Sequence, residues 1–196
     1  VYNIKVNMYY RAYNDVDMME AWTDVKNDEH GAVTLTEFKS AMLPIRRGDV
    51  WISHLYGSWA NESQVSEEPL VPGEMVISNK DGARNSHTSH GEVMFSLDGK
   101  ARENEGNVIG AAICYSGNYE LKTVTDDTDY HYFFAGINPD NSEYHLAKGE
   151  TFTTPALALT FSKEGLSGAS RNFHKWGREY KLMHGNKVRD ILLNSW

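Results

Sequence analysis

Ile4-Lys5-Val6-Asn7-Met8-Tyr9-Tyr10 alternates along its length: Ile4, Val6 and Met8 fall on one face, Lys5 and Asn7 on the other. Successive side chains of a strand point to opposite faces, so this is the two-residue period of a half-buried β-strand. The pattern recurs downstream. Asn14-Asp15 signals a turn, and a second strand is predicted over residues 18–25. Asn27-Asp28-Glu29-His30-Gly31 is a polar turn ending in glycine, which tolerates positive φ at no steric cost. Residues 33–38 and 50–56 read as a third and fourth strand, and further strands are predicted over 74–77, 92–97, 108–115, 119–124, 130–137 and 151–161. Turns rich in Gly, Asn, Asp and Ser punctuate them about every 8 to 15 residues, the expectation for a sandwich or barrel rather than for βαβ units. Trp51 is expected to be buried beside Ile52 on the fourth strand.

The character changes after Gly165. Leu166, Ala169, Ser170, Phe173, Trp176, Gly177 and Tyr180 recur at three- and four-residue spacing, which predicts one amphipathic helix over residues 167–183. Ser167 is placed as its N-cap, and His184-Gly185-Asn186 as its stop. The apolar run Ile191-Leu192-Leu193 then reads as a fully buried strand, the first of a further domain.

Composition bounds the function. The 196 residues fit one large domain, and 40% hydrophobic with 23% charged residues mark a globular chain. Lys and Arg number 19 against 27 Asp and Glu, a net charge of −8, which argues against a nucleic-acid partner because phosphate binding needs a clustered basic face. The densest basic pair, Arg46-Arg47, runs into Gly48-Asp49 and reads as a solvated turn. No stretch approaches the roughly 20 apolar residues that span a bilayer, so no membrane partner is expected. The single cysteine, Cys114, rules out an intrachain disulfide. Lying within Ile109-Gly110-Ala111-Ala112-Ile113-Cys114-Tyr115, it is expected to behave as a small core hydrophobe. Residues 1–6 alternate and are not a signal peptide, and the lack of an initiator Met implies an N-terminal portion removed before Val1. These features leave periplasmic, secreted and cytoplasmic locations all open.

Candidate chemistry is sparse. Asp126, Asp127 and Asp129 form the densest acidic cluster, and their place between two strands reads as a solvated hairpin turn. His87 and His90 lie three apart in a polar loop, without a helical His-Glu-x-x-His signature or a cysteine partner, so no metal site is assigned. There is no Gly-x-Ser-x-Gly elbow and no Gly-rich phosphate loop, and no cofactor is expected. Trp59, after Tyr56-Gly57-Ser58, stands at a strand end where an aromatic ring can stack on a sugar or pack inward.

Several segments, in order and at matching spacing, resemble glycoside hydrolase family 36, the α-galactosidases of bacterial and related type. They are Tyr115-Ser116-Gly117-Asn118-Tyr119, Ala135-Gly136-Ile137-Asn138-Pro139, Gly149-Glu150-Thr151-Phe152-Thr153-Thr154-Pro155, Phe161-Ser162-Lys163-Glu164-Gly165-Leu166, His174, and Arg189-Asp190-Ile191-Leu192-Leu193-Asn194-Ser195-Trp196. The resemblance covers about residues 55–196. It departs at Gly57-Ser58-Trp59, where the family has Gly-Arg-Trp. It departs again at Asn85-Ser86-His87-Thr88-Ser89-His90-Gly91, where the family has Ser-Ser-His-Gln-His-Asn-Pro-Phe.

The resemblance implies an all-β, antiparallel β-supersandwich of galactose-mutarotase type over 1–164, a linker helix over 165–185, and the start of a catalytic (β/α)₈ barrel over 186–196. In such enzymes an Asp nucleophile and an Asp acid/base sit at the carboxyl ends of barrel strands, so no catalytic residue is assigned within this chain. The expectation is a non-catalytic N-terminal domain, cut at both ends, of a retaining enzyme acting on terminal α-galactosides. Its partners would be the barrel of the same parent chain and further copies in a homo-oligomer. Trp59, Asn85, His87 and His90 are its candidates for carbohydrate or interface contact. Two alternatives stand beside it. One is a stand-alone carbohydrate-binding module. The other is a sugar epimerase on a related sandwich, which needs a His and a Glu converging in one cleft; His87, His131 and His145 are the available histidines.

Overall fold

The computed structural model describes residues 2–84, 87–185 and 187. The strands are β1 (Ile4–Tyr13), β2 (Met18–Asn27), β3 (Val33–Leu35), β4 (Lys39–Arg47), β5 (Trp51–Ser58), β6 (Asn61–Pro69), β7 (Gly73–Ser78), β8 (Ser89–Ser96), β9 (Val108–Ile113), β10 (Tyr119–Thr125), β11 (Tyr130–Ile137), β12 (Tyr144–Leu146), β13 (Thr151–Thr153) and β14 (Leu157–Ser162). One helix, α1 (Gly165–Trp176), follows and runs into a π-turn at Gly177–Lys181. The predicted strand at 191–193 and candidate Asn85 lie outside the described residues.

The strands form an antiparallel sandwich. An eight-stranded sheet runs β1-β2-β14-β9-β8-β5-β6, with β13 also on β2, and faces a four-stranded sheet ordered β4-β11-β10-β7. β3 and β12 form a separate antiparallel pair. The period of two explains the core: Ile52, Val93, Phe95, Ala111, Ile113, Leu157 and Leu159 point in from the large sheet, and Ile77, Leu121, Phe133 and Ala135 from the small one. Phe95 and Phe133 meet edge to face at 5.1 Å between centroids, the arrangement ring quadrupoles favour.

Helix α1 lies on the other face of the large sheet. There Val16, Met18 and Ala158 pack with Trp176, and Phe173 joins them. Leu157-Ala158-Leu159-Thr160 of β14 is therefore buried on both faces. The predicted strand 151–161 is in fact two, β13 and β14, separated at Thr154-Pro155-Ala156. Proline has no N–H to give a ladder, and the break falls there.

The structure corrects several expectations. Val6 and Met8 are exposed rather than half-buried, because β1 is the edge of its sheet and β4 packs against β2. Trp51 is only half-buried; Ile52 takes the inward position, and Trp51 donates its indole N–H to Asp49 Oδ1 at 3.0 Å. Cys114 is exposed just beyond the end of β9 instead of in the core. Enough protein still crowds its thiol to push the pKa up, with the Glu20 charge adding to the effect. Arg46-Arg47 ends strand β4, which sequence reading took for a turn, and β6 and β12 were also not foreseen. The helix begins at Gly165, two residues before its predicted start, and gives way to the π-turn after Trp176. Ser167 is not its cap. Glu164 holds the N-cap position, its backbone N–H bonded to Ser162 Oγ at 3.0 Å, while the Ser167 hydroxyl bonds Glu103. Gly165 enters the helix at φ +63, where a Cβ would collide with the backbone of Arg102 and Glu105.

Candidate functional site

Most of the sequence-predicted candidates meet at one end of the sandwich. There the β5–β6 hairpin lies against the loop between β7 and β8. The Gly57 N–H donates to Thr88 O at 3.0 Å, and Tyr56 pairs with Ser89. The approach requires glycine: a Cβ on residue 57 would stand 2.8 Å from Glu62 Cα and 3.1 Å from His87 O. The hairpin turn is tight. Ala60 and Ser63 adopt φ of 60 and 57, and Glu62 Oε1 accepts from the Ala60 N–H at 2.9 Å. The turn holds Trp59 out in solvent, 83% exposed. Of the two orientations open to Trp59 at a strand end, the structure shows the outward one.

His90 sits near the turn of this hairpin. Its Nε2 is 3.4 Å from Ser63 Oγ and its Nδ1 is 3.2 Å from Glu92 Oε1, so it ties β8 to β6. His87 contributes its backbone to the Gly57 contact.

Three buried or half-buried asparagines carry the β7–β8 loop. Asn79 donates from Nδ2 to Gly82 O at 2.9 Å and Gly117 O at 3.1 Å. Asn118 Oδ1 accepts from the Gly82 N–H at 2.7 Å, and Asn138 Nδ2 donates to Asn79 O at 3.2 Å. Lys80 and Asp140 close the edge as an exposed ion pair. Asn118 and Asn138 belong to the two motifs quoted above, Tyr-Ser-Gly-Asn-Tyr and Gly-Ile-Asn-Pro. Their chemistry here is to satisfy the backbone groups of a loop that cannot satisfy its own. Asn79, which shares that task, gave no signal in the sequence.

Other candidates resolve into structural roles. Asp126 caps the β10–β11 turn, with Oδ1 accepting from the Thr128 N–H at 2.8 Å, the Thr128 hydroxyl at 2.7 Å and the Tyr130 N–H at 3.0 Å. Those bonds, that of Tyr130 foremost, hold its carboxyl below the usual Asp value. Asp129 takes the positive-φ position of the same turn. Among the described residues no group of three or more His, Cys, Asp and Glu side chains is placed to hold a metal ion.

The histidines of the epimerase reading stand apart. His131 is fully buried between Thr125 Oγ1 at 2.8 Å and Gly48 O at 2.9 Å. His145 is exposed on β12 beside Thr34 and Glu143. Neither belongs to the hairpin end that carries His87.

Residues 1–147 match the glycosyl hydrolase family 36 N-terminal domain. The chain belongs to that family. Over 199 residues this family 36 N-terminal domain is 30% identical to the alpha-galactosidase AgaA of Geobacillus stearothermophilus, covering 98% of this chain and 26% of that protein. It is 28% identical over 195 residues to the bifunctional alpha-galactosidase/sucrose kinase AgaSK of Mediterraneibacter gnavus, covering 98% and 21%. Among solved structures, the family 36 alpha-galactosidase AgaB of G. stearothermophilus superposes with a TM-score of 0.87 at 26% identity, over 91% of this chain and 24% of its own. The galactosidase domain of AgaSK superposes at 0.86 with 28% identity, over 90% and 24%. The chain thus spans about a quarter of the length of the relatives it matches. The antiparallel sandwich, with one α-helix among the described residues, agrees with the fold expected from the motifs.

Proposed function

We propose that this domain is the non-catalytic N-terminal part of an α-galactosidase-like retaining glycoside hydrolase acting on terminal α-galactosides. Its work is to pack against the catalytic barrel and to build the oligomer. The observation that carries the reading is the similarity along nearly the whole chain to alpha-galactosidases, of whose length it spans about a quarter. Residues 165–185 serve as the linker and 186–196 begin the barrel. The hairpin end supplies the contact surface, with Trp59 projecting from it and His87 and His90 behind; Asn85 belongs to the same loop in sequence. An exposed indole on a rigid two-strand support is the type of anchor that dominates protein interfaces.

The test has two arms. The 196-residue chain alone should release no nitrophenol from a nitrophenyl α-galactoside above background, and turnover that survives repurification would overturn the reading. In the enzyme that carries this domain, Trp59→Ala should lower the sedimenting mass of the assembly. An unchanged mass would remove the hairpin from the interface.

The exposure of Trp59 also favours a second reading, a stand-alone carbohydrate-binding module stacking a sugar on the indole. Calorimetry with galactose, melibiose and raffinose separates the two. Millimolar or tighter binding that disappears in Trp59→Ala supports the module, and no heat supports the scaffold.

A further inference from the structure

Glu20 is a charged residue on the face of β2 that α1 and its following turn cover, and it is only 2% exposed. Lys181 of the π-turn donates its ammonium to Glu20 Oε1. The Tyr13 hydroxyl donates to Oε2 at 2.5 Å, and Arg11 reaches the same oxygen at 3.4 Å. The Lys181 ammonium also lies 5.0 Å from the Trp176 ring centroid. One residue away, the Tyr180 hydroxyl donates to Asp15 Oδ1, and the Tyr180 ring packs on Tyr13 at 4.6 Å. Lys175 of α1 donates to Asp15 O at 2.7 Å.

The turn Gly177–Lys181 buries none of its own residues. Apart from the Tyr180 ring on Tyr13, its attachment to the β1–β2 hairpin runs through two carboxylates, Glu20 buried and Asp15 exposed. The buried Glu20 carboxylate is stable only while Lys181 stays in place, and Lys181 is drawn to it only while it is charged.

We propose that the Glu20–Lys181 and Asp15–Tyr180 pairs form an acid-sensitive latch, which docks the turn 177–181 on the β1–β2 hairpin and releases it on acidification while the sandwich stays folded. The latch sets the direction in which the chain leaves α1.

The cations and tyrosine hydroxyls around it favour the charged carboxylates. Glu20 is faced by Arg11 and Tyr13 from β1, by Lys181 from the turn, and by Cys114 beyond β9. Asp15 is faced by Tyr180, Lys175 and Glu179. Burial works to raise the Glu20 carboxyl, but the bonds from Lys181 and Tyr13 outweigh it, and the group lies below its ordinary value. Asp15 is likewise lowered, chiefly by the Tyr180 hydrogen bond. A lowered carboxyl contributes its full stabilisation above its unfolded value and loses it as pH falls through the folded one, so release belongs below about pH 4. Lys181 is raised, so its contribution is complete below the ordinary lysine range and is lost only above it. The latch is closed across the neutral range.

Hydrogen exchange read by mass spectrometry on this chain tests it. Between about pH 7 and about pH 3.5, protection over residues 177–185, corrected for intrinsic exchange, should fall about tenfold or more while β9 and β14 keep theirs. Lys181→Met and Asp15→Asn, both outside the sandwich core, should show the low protection already at pH 7. Equal protection at both pH values, loss in step with β9 and β14, or wild-type protection in both variants would overturn the latch.

Discussion

The Phe173 ring of α1 rests on the backbone of Gly110 in β9, where a Cβ would stand 2.7 Å from Phe173 Cε2 and 2.9 Å from Thr160 Cγ2. A side chain at residue 110 therefore has to lift the ring or the helix. Gly110→Val should cost about 1–3 kcal/mol, the usual penalty for overpacking a well-filled layer. The urea midpoint reads it. In a double-mutant cycle the cost should shrink when Phe173 is also Ala, because the two residues share one contact.

The bonds of His131 predict what removing its neighbour does. Its Nε2 donates to Gly48 O, so Nδ1 accepts from the Thr125 hydroxyl, all within a buried site. Thr125→Val keeps the shape and leaves Nδ1 without its donor. A buried polar atom stripped of its partner should cost about 1–3 kcal/mol, measured by chemical unfolding. A change below about 0.5 kcal/mol would mean that the Nδ1 bond is already made elsewhere.

Which parts of this molecule the sequence could reveal follows from the physics of single elements. Strands whose inward and outward residues alternate in polarity, such as Tyr119-Glu120-Leu121-Lys122 in β10, show their period in the sequence. Strand β6, Asn-Glu-Ser-Gln-Val-Ser-Glu-Glu-Pro, is exposed along most of its length at the sheet edge, so no apolar row marks it. Strand β4 carries Pro44 and ends in two arginines, which read as a turn; an edge position tolerates all three. Where two apolar neighbours compete, as Trp51 and Ile52 do, the period says that one faces in but not which. β1 has the alternation without the burial, because burial depends on how far the opposite sheet extends.

The candidate end of the sandwich was half legible. Trp59 and the histidines stood out by residue type. Asn79 did not, since its role is visible only once the loop it ties is in place. Glu20 was missed for a related reason: an acidic residue in an apolar strand announces nothing until Lys181, 161 residues away, closes over it.

Trp59 should matter to assembly and not to folding. At 83% exposure it leaves little to lose, so Trp59→Ala should shift unfolding of this chain by no more than about 0.5 kcal/mol. Gly57→Ala is the contrast. Its Cβ meets the Glu62 backbone at 2.8 Å, so it should destabilise the hairpin and alter exchange at its tip. If Trp59→Ala is as costly as Gly57→Ala, the indole packs on the protein in solution.

Tyr180 gives the latch a spectroscopic signature at the alkaline end. Its phenol is pushed up to about 12, first by the hydrogen bond it donates to Asp15 and then by burial and that carboxylate's charge. The bond is made by the protonated phenol, so raising the pH must break it before the proton leaves. Carbon-13 labelling at the tyrosine Cζ should therefore show one resonance, assigned by its loss in Tyr180→Phe, still protonated when a solvent-exposed tyrosine has ionised near 10. Asp15→Asn removes the charge, and the Tyr180 midpoint should move back toward 10. A Tyr180 midpoint that ignores Asp15→Asn would separate the two side chains in solution and take one of the two pairs out of the latch. Lys181 and Glu20 would then hold the turn alone, and acid release would track Glu20.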